Sequence, residues 1–414
     1  MNTRRSRSPL ALPFVVLGLC AAGLVAGCSG QGDSNRQHVS AAKERMEALK
    51  GGVEYQMAME QFMAGELEKA LRSVDKAIVL MEESSKAQVL RGRILIERGD
   101  LEPARVALLR AEELDPESAE AQYYLGIVHE RFSQPAEALA RHEKALAIEP
   151  RNAQYVIATA EMLIAAQRLD EADALLNDQK DALAHNSAIR QCQGQLAMLR
   201  SDYNRAVDCF VQARLLAPDD AAVLEDLARA QFAARRFSDA EFTLSTLLRQ
   251  KGFEKRQDVQ QLRAQCFANL ERYVEARSIL QKITESETGS NDLSAWITLG
   301  KVCAALNDWG HVRVASTRVI AIAPERSEGY MLKAMQQRAA GDRNGALATL
   351  DKAARYAPTD AAPLVLKSLV QLDLNRRDDA RKSAAAAVER SPADRDAQAL
   401  LTAIDSGVDL GVQP

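Results

Sequence analysis

Gly99-Asp100-Leu101-Glu102-Pro103-Ala104, Ser133-Gln134-Pro135-Ala136-Glu137-Ala138 and Gly341-Asp342-Arg343-Asn344-Gly345-Ala346 decide how this chain is read. Each is a turn, then a short polar stretch, then an alanine. The closing alanine recurs with one constant step at Ala70, Ala104, Ala138, Ala172, Ala206 and Ala240. The series continues at Ala276, Val312, Ala346 and Ala380, where the steps from 240 to 276 and from 276 to 312 are each two longer. A fixed period of this size marks an array of repeats. The 414 residues are therefore not divided into globular domains by length alone.

Three further positions keep the same register when the alanine is counted as position 20. Position 8 holds Ala58, Gly92, Gly126, Ala160, Gly194, Ala228, Ala264, Gly300, Ala334 and Ser368, all of them small. Position 27 holds Ala77, Ala111, Ala145, Ala213, Ala353 and Ala387, and position 32 holds Pro116, Pro150, Pro218, Pro324, Pro358 and Pro392. Trp296-Ile297-Thr298-Leu299-Gly300 adds a Trp-x-x-Leu-Gly opening. Over about 51 to 394 this pattern resembles the tetratricopeptide repeat, a helix-turn-helix unit. The resemblance implies an all-α fold, a right-handed α-α superhelix of about ten repeats.

The physics of each position is separable. Small residues at 8, 20 and 27 let two antiparallel helices approach closely. The proline ends the second helix, because it lacks a donor and clashes with the preceding turn. One repeat cannot bury its apolar face alone, so each stacks on its neighbours. Residues 395–405 read as a capping helix over the last stack, and 406–414 as a tail. The two longer steps fall at Arg249–Arg256 and Glu285–Asp292, as longer turns or as hinges.

The N-terminus reads as an address. Arg4, Arg5 and Arg7 precede an apolar run from Leu10 to Val25. That run, at about 16 residues, is short for a spanning helix but fits a secretory signal. Val25-Ala26-Gly27-Cys28 resembles the lipobox of bacterial lipoproteins. The resemblance implies that residues 1–27 are a signal peptide and that Cys28 is lipidated. It also implies a cell-envelope location, on the periplasmic face of an outer membrane, with the membrane reached through the lipid anchor. Residues 28–40 read as a flexible tether, and 41–50 as a short N-terminal helix capped by Ser40 and interrupted by Gly51-Gly52.

Composition narrows the function. The formal net charge is -4 and no long basic block occurs, so no nucleic-acid partner is expected. No cofactor is expected. The five histidines lack metal-ligand spacing, so no metal is expected. No Gly-rich phosphate loop and no Gly-x-Ser-x-Gly elbow occurs. Ser73-Val74-Asp75-Lys76 fits a Ser-x-x-Lys pattern but lies inside a repeat's second helix without companion motifs. No catalytic residue is assigned. Cys192, Cys209, Cys266 and Cys303 are expected as buried free thiols.

Tetratricopeptide arrays resemble one another in holding partners on the concave face of their first helices, through positions 2, 5, 9, 12 and 13. Here position 5 carries no lysine and position 9 no asparagine, so the family's clamp for a C-terminal carboxylate is absent. The same positions offer Tyr55, Met59, Phe62 and Met63, then Tyr123 and Ile127, and later Met331 and Met335 as a partner-binding groove. The expected function is a non-catalytic, lipid-anchored scaffold for envelope proteins or peptides. It would serve a pilus, secretion, exopolysaccharide or cell-wall machinery. The alternative is a carrier for a polysaccharide or lipid chain, against which the 5% aromatic content counts.

Overall fold

A computed structural model describes residues 33–179 and 182–407. The expected signal peptide, Cys28 and the end of the tail lie outside the described residues, which form 21 α-helices and no strand. The chain divides into two compact units, the first ending at Gln134 and the second beginning at Pro135.

The first unit holds α1 (Asp33–Met63), α2 (Leu67–Leu80), α3 (Ser85–Arg98), α4 (Leu101–Leu114) and α5 (Ala119–Arg131). Helix α1 pairs with α2, α3 pairs with α4, and α3 also touches α5. The second unit opens with α6 (Pro135–Ile148), α7 (Ala153–Ala165), α8 (Leu169–Asp178), α9 (Ser187–Leu199) and α10 (Tyr203–Leu216). It continues through α11 (Ala221–Ala233), α12 (Phe237–Leu247), α13 (Gln257–Asn269), α14 (Tyr273–Glu285), α15 (Leu293–Ala305) and α16 (Trp309–Ile322). It closes with α17 (Ser327–Ala339), α18 (Arg343–Tyr356), α19 (Ala362–Asp373), α20 (Arg377–Arg390) and α21 (Arg395–Asp405). Within each unit successive hairpins stack, and first helices touch the first helices of the next hairpin, as α7 does α9 and α15 does α17. The molecule is an all-α repeat protein.

The small positions are small because helices meet there. Ala70, Ala104, Ala138, Ala172, Ala206, Ala240, Ala276, Val312, Ala346 and Ala380 all have no exposed surface. A Cβ on Gly92 would lie 2.5 Å from Leu108 Cγ, and one on Gly194 would lie 2.6 Å from the Phe210 ring. Each of these hairpins is thus keyed by a residue that leaves room for its neighbour.

Helix ends repeat as regularly as helix faces. Ser84, Ser118, Asn152, Asn186, Asp220, Asp292 and Asp394 cap first helices by accepting a backbone N–H. The bond from Ala295 N to Asp292 Oδ1, at 2.9 Å, is one example. Between first and second helices the chain turns through one left-handed residue: Gly65, Gly99, Ser133, Gln167, Ser201, Arg235, Glu271, Asn307, Gly341 and Asn375. The turn bonds follow, as where Gly99 N donates to Ile96 O (3.0 Å) and Asp100 N to Leu95 O (2.9 Å). Salt bridges then tie one repeat to the next. Arg200 reaches Asp173 at 2.9 Å, and Arg338 grips Asp373 with two bonds of 2.5 and 3.0 Å.

The N-terminal region differs from its sequence reading. Helix α1 runs unbroken through Gly51-Gly52 and begins at Asp33, inside the span expected as tether. Gly51 is a close-approach residue, since a Cβ there would lie 2.5 Å from Met81 Cγ. A glycine inside a helix costs only about 1 kcal/mol relative to alanine, which a helix of this length tolerates. Both longer links are tied down by hydrogen bonds. In the first, Gln250 Nε2 donates to Asp219 O at 3.1 Å. In the second, Gln257 donates to Ser286 Oγ (2.8 Å) and Thr288 Oγ1 (2.7 Å), and the Trp296 indole donates to Ser290 O (2.9 Å).

Candidate functional site

The face that could hold a partner is built by first helices, and the two units build it from different chemistry. In the first unit Tyr55, Met59 and Phe62 are half-buried and rest on a core of Ala58, Ala70, Val74, Leu90 and Ile94. Met63, beside them in sequence, is 76% exposed. Ile127 packs on the core around Leu95, Leu108 and Leu125. Tyr123 meets Tyr124 edge-on with centroids 5.1 Å apart.

Arg93 organises this face. Its guanidinium lies 5.3 Å from the Phe62 ring centroid and 5.1 Å from that of Tyr124. Helix α3 thus contributes a cation between rings of α1 and α5. Burial pushes the Tyr55 phenol pKa up, the Glu120 charge adds to the rise, and Arg93 opposes it. Burial does the same to Tyr124, against Arg93. In the sequence Arg93 is legible only as position 9, and Tyr124 carries no mark at all. A cation one repeat from an aromatic on each side was the signal available.

On α9, α11 and α13 of the second unit the same positions are polar. Gln191 and Gln195 on α9 both donate toward Asp226 Oδ2, at 3.3 and 3.4 Å. Glu225 pairs with Arg229 on its own helix and accepts from Arg256 at 3.2 Å. Gln261, in the amide orientation that satisfies its neighbours, donates to Asp292 Oδ2 at 3.0 Å and accepts from Ala295 N at 3.1 Å. Three clefts follow one another along this face. One of about 310 Å³ is lined by Ile164, Gln195, Met198, Phe210 and Arg229. The next, about 440 Å³, shares Arg229 and adds Glu225, Gln261, Gln265 and Asp292. The third, about 450 Å³, shares Gln265 and adds Phe232, Asn269, Tyr273, Thr298 and Lys301. Glutamines and opposed charges can bond the amides of an extended chain. The sequence does not single these residues out, because glutamines and paired charges on a helix face read as ordinary solvated surface.

Met335 is packed between the cores around Leu299 and Leu350, and Met331 is half-buried. Among the described residues no set of His, Cys, Asp or Glu is placed to hold a metal ion. Burial pushes the thiols of Cys192 and Cys266 up to about 12 and that of Cys303 up to about 11. All four described cysteines are free. Ser73 is buried and donates to Gln61 Oε1 at 3.0 Å, which ties α2 to α1 and leaves no exposed nucleophile at that motif.

Two family models match the chain: one described as TPR repeat, over residues 92–131, and one described as tetratricopeptide repeat, over 197–266. Together with the positions that recur along the helices, they show that the chain carries tetratricopeptide repeats. Among particular proteins it is similar to the type IV pilus assembly protein PilF of Pseudomonas aeruginosa, at 27% identity over 161 residues. That match takes in 38% of this chain, which spans 64% of the relative's length. A solved structure of Pseudomonas aeruginosa PilF overlays with a TM-score of 0.44 at 23% identity, covering 50% of this chain and 94% of that one. PilW, a type IV pilus biogenesis factor, overlays at 0.45 with 19% identity, over 49% of this chain and 96% of that one. A chain of the Cut9–Hcn1 hetero-tetramer overlays at 0.45 with 13% identity, over 91% of this chain and 87% of that one.

Proposed function

We propose that this chain is a non-catalytic scaffold, anchored by lipid at Cys28 in a bacterial cell envelope, that holds segments of partner proteins on its first-helix faces. The observation that carries the reading is a lipobox-like Val25-Ala26-Gly27-Cys28 ahead of a repeat array with three consecutive clefts on one face. Anchoring concentrates the scaffold at a membrane, and two or three acyl chains hold it there stably where one would not. The similarity to PilF supports assembly of a pilus as the process served, and the scaffold is proposed to sit on the periplasmic face of the outer membrane. Arg229, Gln265 and Lys301 meet the partner's backbone and charges.

Two experiments test this. Globomycin treatment, which blocks lipoprotein signal cleavage, should leave a larger precursor, and Cys28→Ser protein should take up no labelled palmitate. No precursor, or palmitate still taken up by Cys28→Ser protein, rejects the anchor. Crosslinking in membranes should then recover a defined set of envelope proteins that an Arg229→Ala/Lys301→Ala variant loses. Equal recovery by the variant rejects the second-unit face as the binding surface.

A further inference from the structure

The leading part of α1 stands outside the repeat packing. From His38 to Lys50 no side chain is buried, and the first buried position of the helix is Gly51. At a rise of about 1.5 Å per residue, the helix from Asp33 to Lys50 is roughly 27 Å long. A rod of helix therefore extends ahead of the array. On it Val39, Met46, Leu49 and Val53 are 63%, 57%, 72% and 64% exposed, with exposed Ala42 among them. Their spacing places all five within an arc of about 80° on the helix. Lys43 and Lys50 flank one edge of this stripe and Arg45 the other, while Glu44 and Glu47 turn away from it. The ion pair here, Lys43 to Glu47 at 3.8 Å, lies on the exposed surface.

We infer that this part of α1 is an interfacial helix that lies on an anionic phospholipid surface. An apolar stripe edged by lysine and arginine is what such a surface accepts: the stripe enters the headgroup boundary and the cations meet the phosphates. A second copy of the chain fits poorly. Pairing two stripes side by side sets Arg45 against Lys50 in parallel, or Arg45 against Arg45 in antiparallel arrangement, and like charges there oppose association. No helix among the described residues is long and apolar enough to cross a membrane, so the contact is a surface one. The location rests on the anchor reading, since the chain from Cys28 to Asp33 reaches at most about 18 Å. The affinity does not, because it belongs to the helix itself.

The test is vesicle cosedimentation of the acyl-free chain beginning at position 28 and carrying Cys28→Ser. Vesicles of phosphatidylcholine containing phosphatidylglycerol should bind it about tenfold or more tightly than phosphatidylcholine alone, and added salt should weaken the binding. A Met46→Asp/Leu49→Asp variant should lose about tenfold or more. Its circular dichroism and unfolding midpoint should stay unchanged, because both side chains are exposed. A Lys43→Glu/Arg45→Glu/Lys50→Glu variant should lose the preference for phosphatidylglycerol. Equal binding to both vesicle types, or no binding, overturns the inference. So does a concentration-dependent dimer in sedimentation that the Met46→Asp/Leu49→Asp variant abolishes, since the stripe would then pair two copies. These outcomes leave the globomycin result untouched, so the two readings fail separately.

Discussion

Position 9 of the repeat carries Met59, Arg93 and Ile127 in the first unit; in the second it runs through Glu161, Gln195, Arg229, Gln265 and Lys301 before returning to Met335 and Leu369. The backbone scaffold is the same, and the use is not. In the first unit the position and its neighbours complete the core: Met59 and Phe62 rest on Ala58 and Leu90, and Arg93 is held between Phe62 and Tyr124. In the second unit Gln195, Arg229 and Lys301 are exposed and line clefts. A face position in a repeat array therefore does not say by itself whether its side chain is structure or surface. Its neighbours one repeat away decide.

The largest effect should come from breaking the first-unit face. Replacing Met59 and Phe62 together by Asp puts two charges against an apolar core, and a loss of about 3 kcal/mol or more is expected. Urea unfolding followed by circular dichroism measures it. An unchanged midpoint would show that the first unit's face is as open as the second's. Gly194→Leu should approach this size by another route, with a cost of about 1–3 kcal/mol from overpacking. There the new side chain meets the Phe210 ring. Arg229→Ala with Lys301→Ala should stay within about 0.5 kcal/mol of the parent while partner capture is lost. A large destabilisation there would turn the second-unit face into structure too and erase the contrast.

A smaller effect separates the units at their turns. Two of the first unit's three left-handed turn residues are glycine, Gly65 and Gly99. At the corresponding turns of the second unit only Gly341 is, and Arg235 and Glu271 sit at φ of 61° and 60°. Left-handed geometry costs a residue with a Cβ roughly 1–2 kcal/mol. Arg235→Gly or Glu271→Gly should therefore stabilise the second unit by about 0.5–1 kcal/mol once the glycine's own entropy is counted. Differential scanning calorimetry reads this as a raised Tm, and a lowered Tm would mean that the long side chains contribute more than the strain costs.

The fold is legible because its rule is steric and periodic. Ala104 and Gly92 must be small wherever two helices cross, so the period survives in the letters. The turn is less legible, because Ser133, Gln167, Arg235 and Glu271 share a backbone geometry and no side-chain chemistry. The partner face is legible as a set of positions but not as a site. Tyr55 and Phe62 read as a binding patch in sequence, and only the structure shows that they also rest, half-buried, on Leu90 and Ile94. The N-terminal helix misleads for a related reason. Gly51 reads as a breaker, whereas its missing side chain makes room for Met81.

The smallest predicted effect concerns the links between repeats of the second unit, where Asp173 meets Arg205 and Arg200 at 2.8 and 2.9 Å. Burial raises the carboxyl's pKa, but the hydrogen bond and charge of Arg205, joined by those of Arg200, outweigh it and hold the value below the ordinary 3.8. A carboxyl depressed in the folded state contributes stability that is fully present above its unfolded value. That contribution drains away as pH falls through the folded one. Since both arginines are partly solvated, the contribution is a few tenths to about 1 kcal/mol. Asp173→Asn should therefore lower the unfolding midpoint slightly at pH 7, and the parent and variant should converge as pH falls through the carboxyl's depressed folded-state value. A first-unit control is Asp75→Asn, which removes the partner of Arg91 at 2.8 Å on a pair whose acid is 48% exposed. Its effect should be smaller still. If the two substitutions proved equal, the cross-repeat ion pairs would be dispensable surface contacts. Packing of the small positions alone would then hold one hairpin to the next in both units.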